Sequence, residues 1–343
     1  MTVAAALLVA LVTVAFTVPM PYVVLSPGVT ENTLGSHDGE PVITIEGHRT
    51  YPTSGHLDLT TVSVTSPDYE PRLPDILQAW WSRREIVLPR DAIYPPEQTV
   101  AEVKQENQQQ MVSSQDAAIA AGLAEAGVDA LRVEVGGVEA GAPADGKLRK
   151  GDVITSVDGT AVETVEDTAS AISGHAPGDP VVVGILRGGE RQDVRLITEP
   201  SPDDPQLARI GIALEEVVDP PFDVTIELGQ EIGGPSAGLM FSLAIYDLIT
   251  PGELTGGLFI AGTGTIDTVG TVGLIGGVQQ KIAGAYESDA TVFLVPSGDC
   301  AEASQSDLAD DIELVKVSTM GQAVEALRAL TSGDDADVPR CQG

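Results

Sequence analysis

Positive charge is what this chain has least of: 18 Lys and Arg stand against 51 Asp and Glu in 343 residues, for a formal net charge of −33. Nucleic-acid phosphates need clustered Lys and Arg, so a nucleic-acid partner is excluded, as is docking on anionic lipid headgroups. Cysteine is nearly absent. Cys300 and Cys341 are too few for a disulfide-scaffolded miniprotein and lack the C-x-x-C spacing of a structural zinc site. No H-E-x-x-H, calcium loop or dinucleotide fingerprint occurs, so neither a metal nor a cofactor is expected. Aromatics make up only 4%, yet 43% of the residues are hydrophobic, which excludes wholesale disorder and predicts aliphatic cores.

The first charged residue is Glu31, and residues 2–25 are almost wholly apolar. That run is long enough for one membrane-spanning helix, ending near Pro19 and Pro21 with Tyr22 at the headgroup level. Residues 1–25 are therefore expected to be a transmembrane anchor that places the protein in the cell membrane as a single-pass chain. No Lys or Arg flanks the run to orient it. Residues 26–127 read as a mixed region: strands over 40–66, irregular chain over 67–98 and a helix over 99–126.

Residues 128–200 change texture, with short β-like runs and one helical segment over 165–173. The run GAPADGKLRKGDVITSVDGTAV at 141–162 resembles the bacterial PDZ family. That resemblance implies a β-rich domain whose groove takes an extended peptide by strand addition. It places the groove's carboxylate-binding end near Ala130, Leu131 and Val133. SPDDP at 201–205 reads as a linker. From 206 to 331 strands and helices alternate as in an α/β domain, and the polar tail 332–343 reads as flexible.

The chemistry concentrates in EIGGPSAGLMFSLAIYDLIT. Pro235 suits the first position of a helix running to residue 249, which would put Ser236 in a first turn of unpartnered N–H groups. A serine there can attack a carbonyl while those groups hold the oxyanion; an ordinary N-cap serine is the alternative. G-P-S-A-G also satisfies the α/β-hydrolase elbow, but all four histidines precede Ser236 and that fold needs one after it. A chymotrypsin-like order would leave His56 as base, without support from its flanking SGHLDL. Lysine can act as base once burial lowers its pKa. Of the five lysines, Lys281 alone follows a Gly-Gly break and sits among apolar neighbours at the start of a helix.

GGPSAG, then AGTGTID, then GLIGGVQQK together resemble the proteolytic domain of Lon proteases. The resemblance implies that Ser236 is the nucleophile and Lys281 the general base. It also implies that Thr263 positions the lysine, that Gly234 and Pro235 shape the serine loop, and that Gly276 and Gly277 open the lysine's helix. Three positions depart from the family pattern: Gly233 replaces an acidic residue, Thr265 a Glu and Gln279 a second lysine. The G-x-x-x-x-G-K at Gly141–Lys147 is followed by Leu148 and sits inside the PDZ match, so no ATPase is expected. The PDZ part is expected to be inserted into the protease, whose front would be 40–66 with the helix near 113–126.

The whole layout resembles membrane-anchored, PDZ-containing Lon-like proteases, which implies an extracytoplasmic catalytic domain, leaves room for a homo-oligomeric ring, and favours a Cys300–Cys341 disulfide. The function expected is ATP-independent serine endopeptidase action on flexible protein segments recruited through the PDZ groove. The alternative is a non-catalytic membrane PDZ adaptor on a degenerate protease scaffold.

Overall fold

The computed structural model describes residues 2–82, 84–229, 232–333 and 338–341. These fall into two compact units, Met1–Val128 with Phe222–Gly343, and Asp129–Pro221.

Helix α1 covers Thr2–Thr17. At 1.5 Å per residue it is about 24 Å long, shorter than the ~30 Å hydrocarbon core of a bilayer. Pro19 and Pro21 follow, and the rest of the apolar run becomes strand β1 (Tyr22–Asn32), with Val23 and Leu25 buried in a sheet. The expected transmembrane anchor over 1–25 is thus corrected: no helix among the described residues is long and apolar enough to cross a membrane. The single-pass membrane placement and its extracytoplasmic orientation lose their basis with it. Tyr22, expected at a headgroup, instead pairs with Pro89.

The first unit continues with β2 (Ile43–Glu46), β3 (His56–Val64), α2 (Leu73–Trp81), β4 (Ile86–Pro89) and α3 (Val100–Glu125). A capping box starts α3: Thr99 Oγ1 accepts the Glu102 N–H while the Glu102 carboxylate accepts the Thr99 N–H. The polar first half of α3 is largely exposed, whereas Ala118–Leu123 are buried against a later helix.

The second unit contains β5 (Leu131–Val138), β6 (Val153–Val157), α4 (Val165–Ser173), β7 (Pro180–Arg187), β8 (Glu190–Ile197) and β9 (Ile212–Val218). They form an antiparallel sheet in the order β8-β7-β6-β5-β9. Residues 206–221, assigned above to the α/β part, therefore belong to this unit. SPDDP is not a linker between domains, because Glu199–Pro200 pairs with Ala208–Arg209 across it. Burial pushes the Asp152 carboxyl up, but the Arg187 hydrogen bonds of 2.7 and 2.6 Å, the Arg149 N–H and the two guanidinium charges together hold its pKa below the ordinary value.

The chain then re-enters the first unit. Strand β10 (Asp223–Ile226) pairs with β2, and α5 (Gly238–Ile249), β11 (Phe259–Gly262) and the short hairpin β12 (Thr265–Ile266) and β13 (Val272–Gly273) follow. The strand predicted over 268–274 shrinks to the two residues of β13, because Asp267 and Gly270 turn the chain. Next come α6 (Val278–Glu287), β14 (Val292–Pro296), α7 (Cys300–Ala303), β15 (Glu313–Val317) and α8 (Met320–Ser332). The main sheet runs β15-β14-β11-β3-β1-β4, parallel from β15 to β3 and antiparallel beyond. VFLVP of β14 is buried at every position, as a parallel strand covered on both faces requires. Helix α5 is buried nearly all round and packs on α3, which comes so close that a Cβ on Gly122 would lie 2.7 Å from the Ser242 carbonyl oxygen.

The described part of the predicted flexible tail is fixed. Lys316 donates its N–H to Pro339 and Cys341 to Leu314, so 338–341 lie along the β15 edge, and Cys341 is disulfide-bonded to Cys300. Residues 334–337 and 342–343 of that tail lie outside the described residues. Closing a loop of 41 residues is worth about 4 kcal/mol through the unfolded chain. Cys341→Ser is therefore expected to lower the unfolding free energy from urea titration by about 4 kcal/mol relative to the oxidised protein, and reduction should lower it equally.

Candidate active site

Three elements converge at the carboxyl end of the parallel strands, where open α/β sheets place their ligand sites. Ser236 stands just before α5, Thr263 follows β11 directly, and Lys281 lies in the first turn of α6. Helix α5 begins at Gly238, not at Pro235 as expected, so Ser236 occupies the turn ahead of the helix. Tertiary bonds hold that turn. The Ser236 carbonyl accepts the Gly264 N–H at 2.9 Å and the Thr263 hydroxyl at 3.0 Å, and Leu239 donates its N–H to Gly264 at 3.1 Å. From the other side, α3 contributes Ser114, whose hydroxyl donates to the Pro235 carbonyl, and Asn107, whose carbonyl accepts the Gly234 N–H.

Two glycines are required by this geometry. Gly234 has φ +87°, a left-handed conformation that turns the chain into Pro235. Gly277 caps α6 at φ +70°, and a Cβ there would lie 2.9 Å from Val62. At Gly233, where the Lon pattern is acidic, a Cβ would sit 3.2 Å from that of Asn107, a tight contact.

Lys281 is 3% exposed, and its Nζ donates to Ser236 Oγ at 2.7 Å and to Thr263 Oγ1 at 2.9 Å. Burial lowers its pKa from 10.5 to about 8, opposed by the negative charge of Asp299. Asp299 is itself buried, which raises its carboxyl pKa, and it accepts the Ile275 N–H at 3.0 Å. Ser236 and Lys281 open onto a cleft of about 350 Å³ walled by Thr265, Leu274, Ile275 and Gly276. A nucleophilic hydroxyl, a dry amine able to lose its proton near neutrality, and a second hydroxyl orienting that amine are what acyl transfer needs.

The histidines stay out of this arrangement: His56 stacks on Phe259 and faces Asp58 at 3.3 Å. Gln279, where the Lon pattern has a second lysine, binds the Glu302 carbonyl. No group of acidic, His or Cys residues among the described residues could hold a metal ion. Ser114, Asn107 and Asp299 escaped sequence reasoning because each acts through tertiary contacts that leave no periodic or motif signal.

The peptide-groove residues need correction. Val133 is 1% exposed in the core of the second unit, Ala130 is buried, and Leu131 pairs with Val218. Strand β5 has β6 on one side and β9 on the other, so it offers no edge to an incoming peptide.

Comparison with known proteins finds two families along the chain. Residues 101–198 match the PDZ domain family, and residues 230–330 match the Lon protease (S16) C-terminal proteolytic domain. The chain joins a PDZ domain to a Lon-type proteolytic domain. It is 32% identical to the Lon protease of Campylobacter jejuni over 95 residues, covering 27% of this chain and 12% of that protein. The Lon protease of Clostridioides difficile is 31% identical over 129 residues, 34% of this chain and 16% of the relative. A probable periplasmic DegP-like serine endoprotease of Bartonella henselae is 30% identical over 67 residues, 20% of this chain and 13% of that protein. The chain thus spans only a small part of each relative's length. The PDZ match starts inside α3, which the structure assigns to the Lon-type unit, and stops before β9.

A lysine held at about pKa 8 instead of 10.5 costs the fold about 3 kcal/mol below pH 8. Its folded pKa is depressed, so the cost is full below pH 8 and fades as pH rises toward 10.5. Lys281→Met is accordingly expected to raise the thermal midpoint at pH 7, with the gain shrinking above pH 8. Scanning calorimetry across that range checks it.

Proposed function

We propose that the chain is an ATP-independent serine endopeptidase acting through a Ser236–Lys281 dyad, with substrates recruited by its PDZ domain. The observation that carries this reading is the 2.7 Å contact between the buried Lys281 amine and the Ser236 hydroxyl. Neutral Lys281 takes the Ser236 proton as Oγ attacks the scissile carbonyl carbon. Thr263 accepts one amine N–H, which leaves the nitrogen lone pair directed at Ser236. N–H groups of the turn around Ser236 stabilise the oxyanion. The lysine then passes its proton to the leaving amine, and water, deprotonated by the same lysine, hydrolyses the acyl-enzyme. Asp299 stabilises the transient ammonium.

Nothing in this cycle supplies energy for unfolding, so the substrates are flexible segments. For their recruitment, the sheet order leaves β9 with a strand neighbour on one side only, and α4 packs beside it. An extended peptide adding to β9 along α4 is the arrangement a PDZ groove uses.

Ser236→Ala and Lys281→Ala are each expected to lower kcat/KM for an unstructured peptide at least ~1000-fold with the fold intact by circular dichroism. For the wild type, kcat/KM should rise about tenfold per pH unit and level off above about 8. Wild-type-like turnover by either variant, or a profile flat from pH 6 to 9, sinks the dyad.

A further inference from the structure

A second cavity, of about 340 Å³, lies beside the cleft that holds Ser236. Its α3 wall carries Glu106, Gln109, Gln110 and Ser113, and Pro235 and Ile266 close the other side. Pro235 lines both cavities. Thr265 and Ile266, successive residues of β12, line the cleft and the second cavity respectively. A peptide carbonyl placed at Ser236 Oγ therefore has neighbouring residues beside Pro235, since an extended chain advances only about 3.3 Å per residue.

The chemistry of this groove is one-sided. Glu106 is its one charged side chain, two carboxamides and the Ser113 hydroxyl supply further hydrogen-bonding groups, and Pro235 and Ile266 provide apolar surface. Gln110 donates to Glu106 at 3.4 Å, leaving carboxylate lone pairs for a ligand. Along α3, Lys104 is the sole cation against Glu102, Glu106, Asp116 and Glu125, so the local potential is negative. A long aliphatic stem ending in a cation suits such a site: the stem covers Pro235 and Ile266, and the head pairs with Glu106.

We propose that this groove is a substrate subsite for a lysine or arginine side chain near the scissile bond, with Glu106 as its specificity determinant. The proposal rests on the endopeptidase reading. It assigns the excess acidity on this helix a role in choosing substrates.

The test uses fluorogenic peptides that carry Lys, norleucine or Glu at each position flanking the scissile bond, with the full-length wild type, Glu106→Gln and Glu106→Lys. At one position the wild type should favour Lys over norleucine about fivefold, as a partly exposed ion pair gives. Glu106→Gln should abolish that preference, Glu106→Lys should turn it toward Glu, and high salt should weaken it. Equal preferences in all three proteins overturn the proposal. Peptide affinities of Ser236→Ala, with and without Glu106→Lys, are measured alongside by fluorescence anisotropy. Charge-dependent affinity without any wild-type turnover keeps the subsite and rejects the catalytic reading. Turnover with no dependence on residue 106 rejects the subsite alone.

Discussion

The site depends on one unfavourable placement: a lysine amine kept dry against a serine hydroxyl. Lys281 is 3% exposed, and its proton is destabilised enough to bring its pKa to about 8. Such a group persists only where the surrounding packing outweighs its cost. Here α6 is set against β1 and β3 and opened by a left-handed Gly277, while Thr263 supplies the hydroxyl that fixes the amine. The main sheet, the buried α5 and the disulfide-pinned segment behind Asp299 provide that packing.

The two sides of the serine loop are held differently. Gly264 and Thr263 bind the Ser236 carbonyl, so Ser236 and Lys281 share Thr263 as a neighbour. The other side leans on α3 through Ser114 and Asn107. Helix α3 lies far upstream in sequence, with the whole Asp129–Pro221 unit between it and the serine. The loop carrying Ser236 is therefore complete only when both segments of the first unit have folded together.

Much of this was legible in the sequence. GGPSAG and GGVQQK singled out Ser236 and Lys281 only when taken together, through their resemblance to the Lon pattern, since Ser236 alone also fits an ordinary N-cap; the all-apolar VFLVP marked a buried strand. The apolar start misled for a physical reason. Hydropathy alone does not tell a membrane helix from a short helix followed by a sheet strand, and Pro19 and Pro21 divide the run into those two pieces. The helix start at 238 was missed because carbonyl contacts from Gly264 and Thr263, rather than capping rules, shape the turn. The PDZ residues failed because β5 looks the same in sequence whether it is an edge or has neighbours on both sides. Only the pairing with β9 decides that.

The central claim is that burial lowers the Lys281 pKa from the ordinary 10.5 to about 8, so that its amine can lose a proton near neutrality. The chain contains only five lysines, so ¹³Cε-lysine NMR with Lys281→Met as the assignment control resolves each titration. One signal, absent in Lys281→Met, is expected with a midpoint of about 8. A Lys281 midpoint at the ordinary lysine value of 10.5 would contradict the dyad.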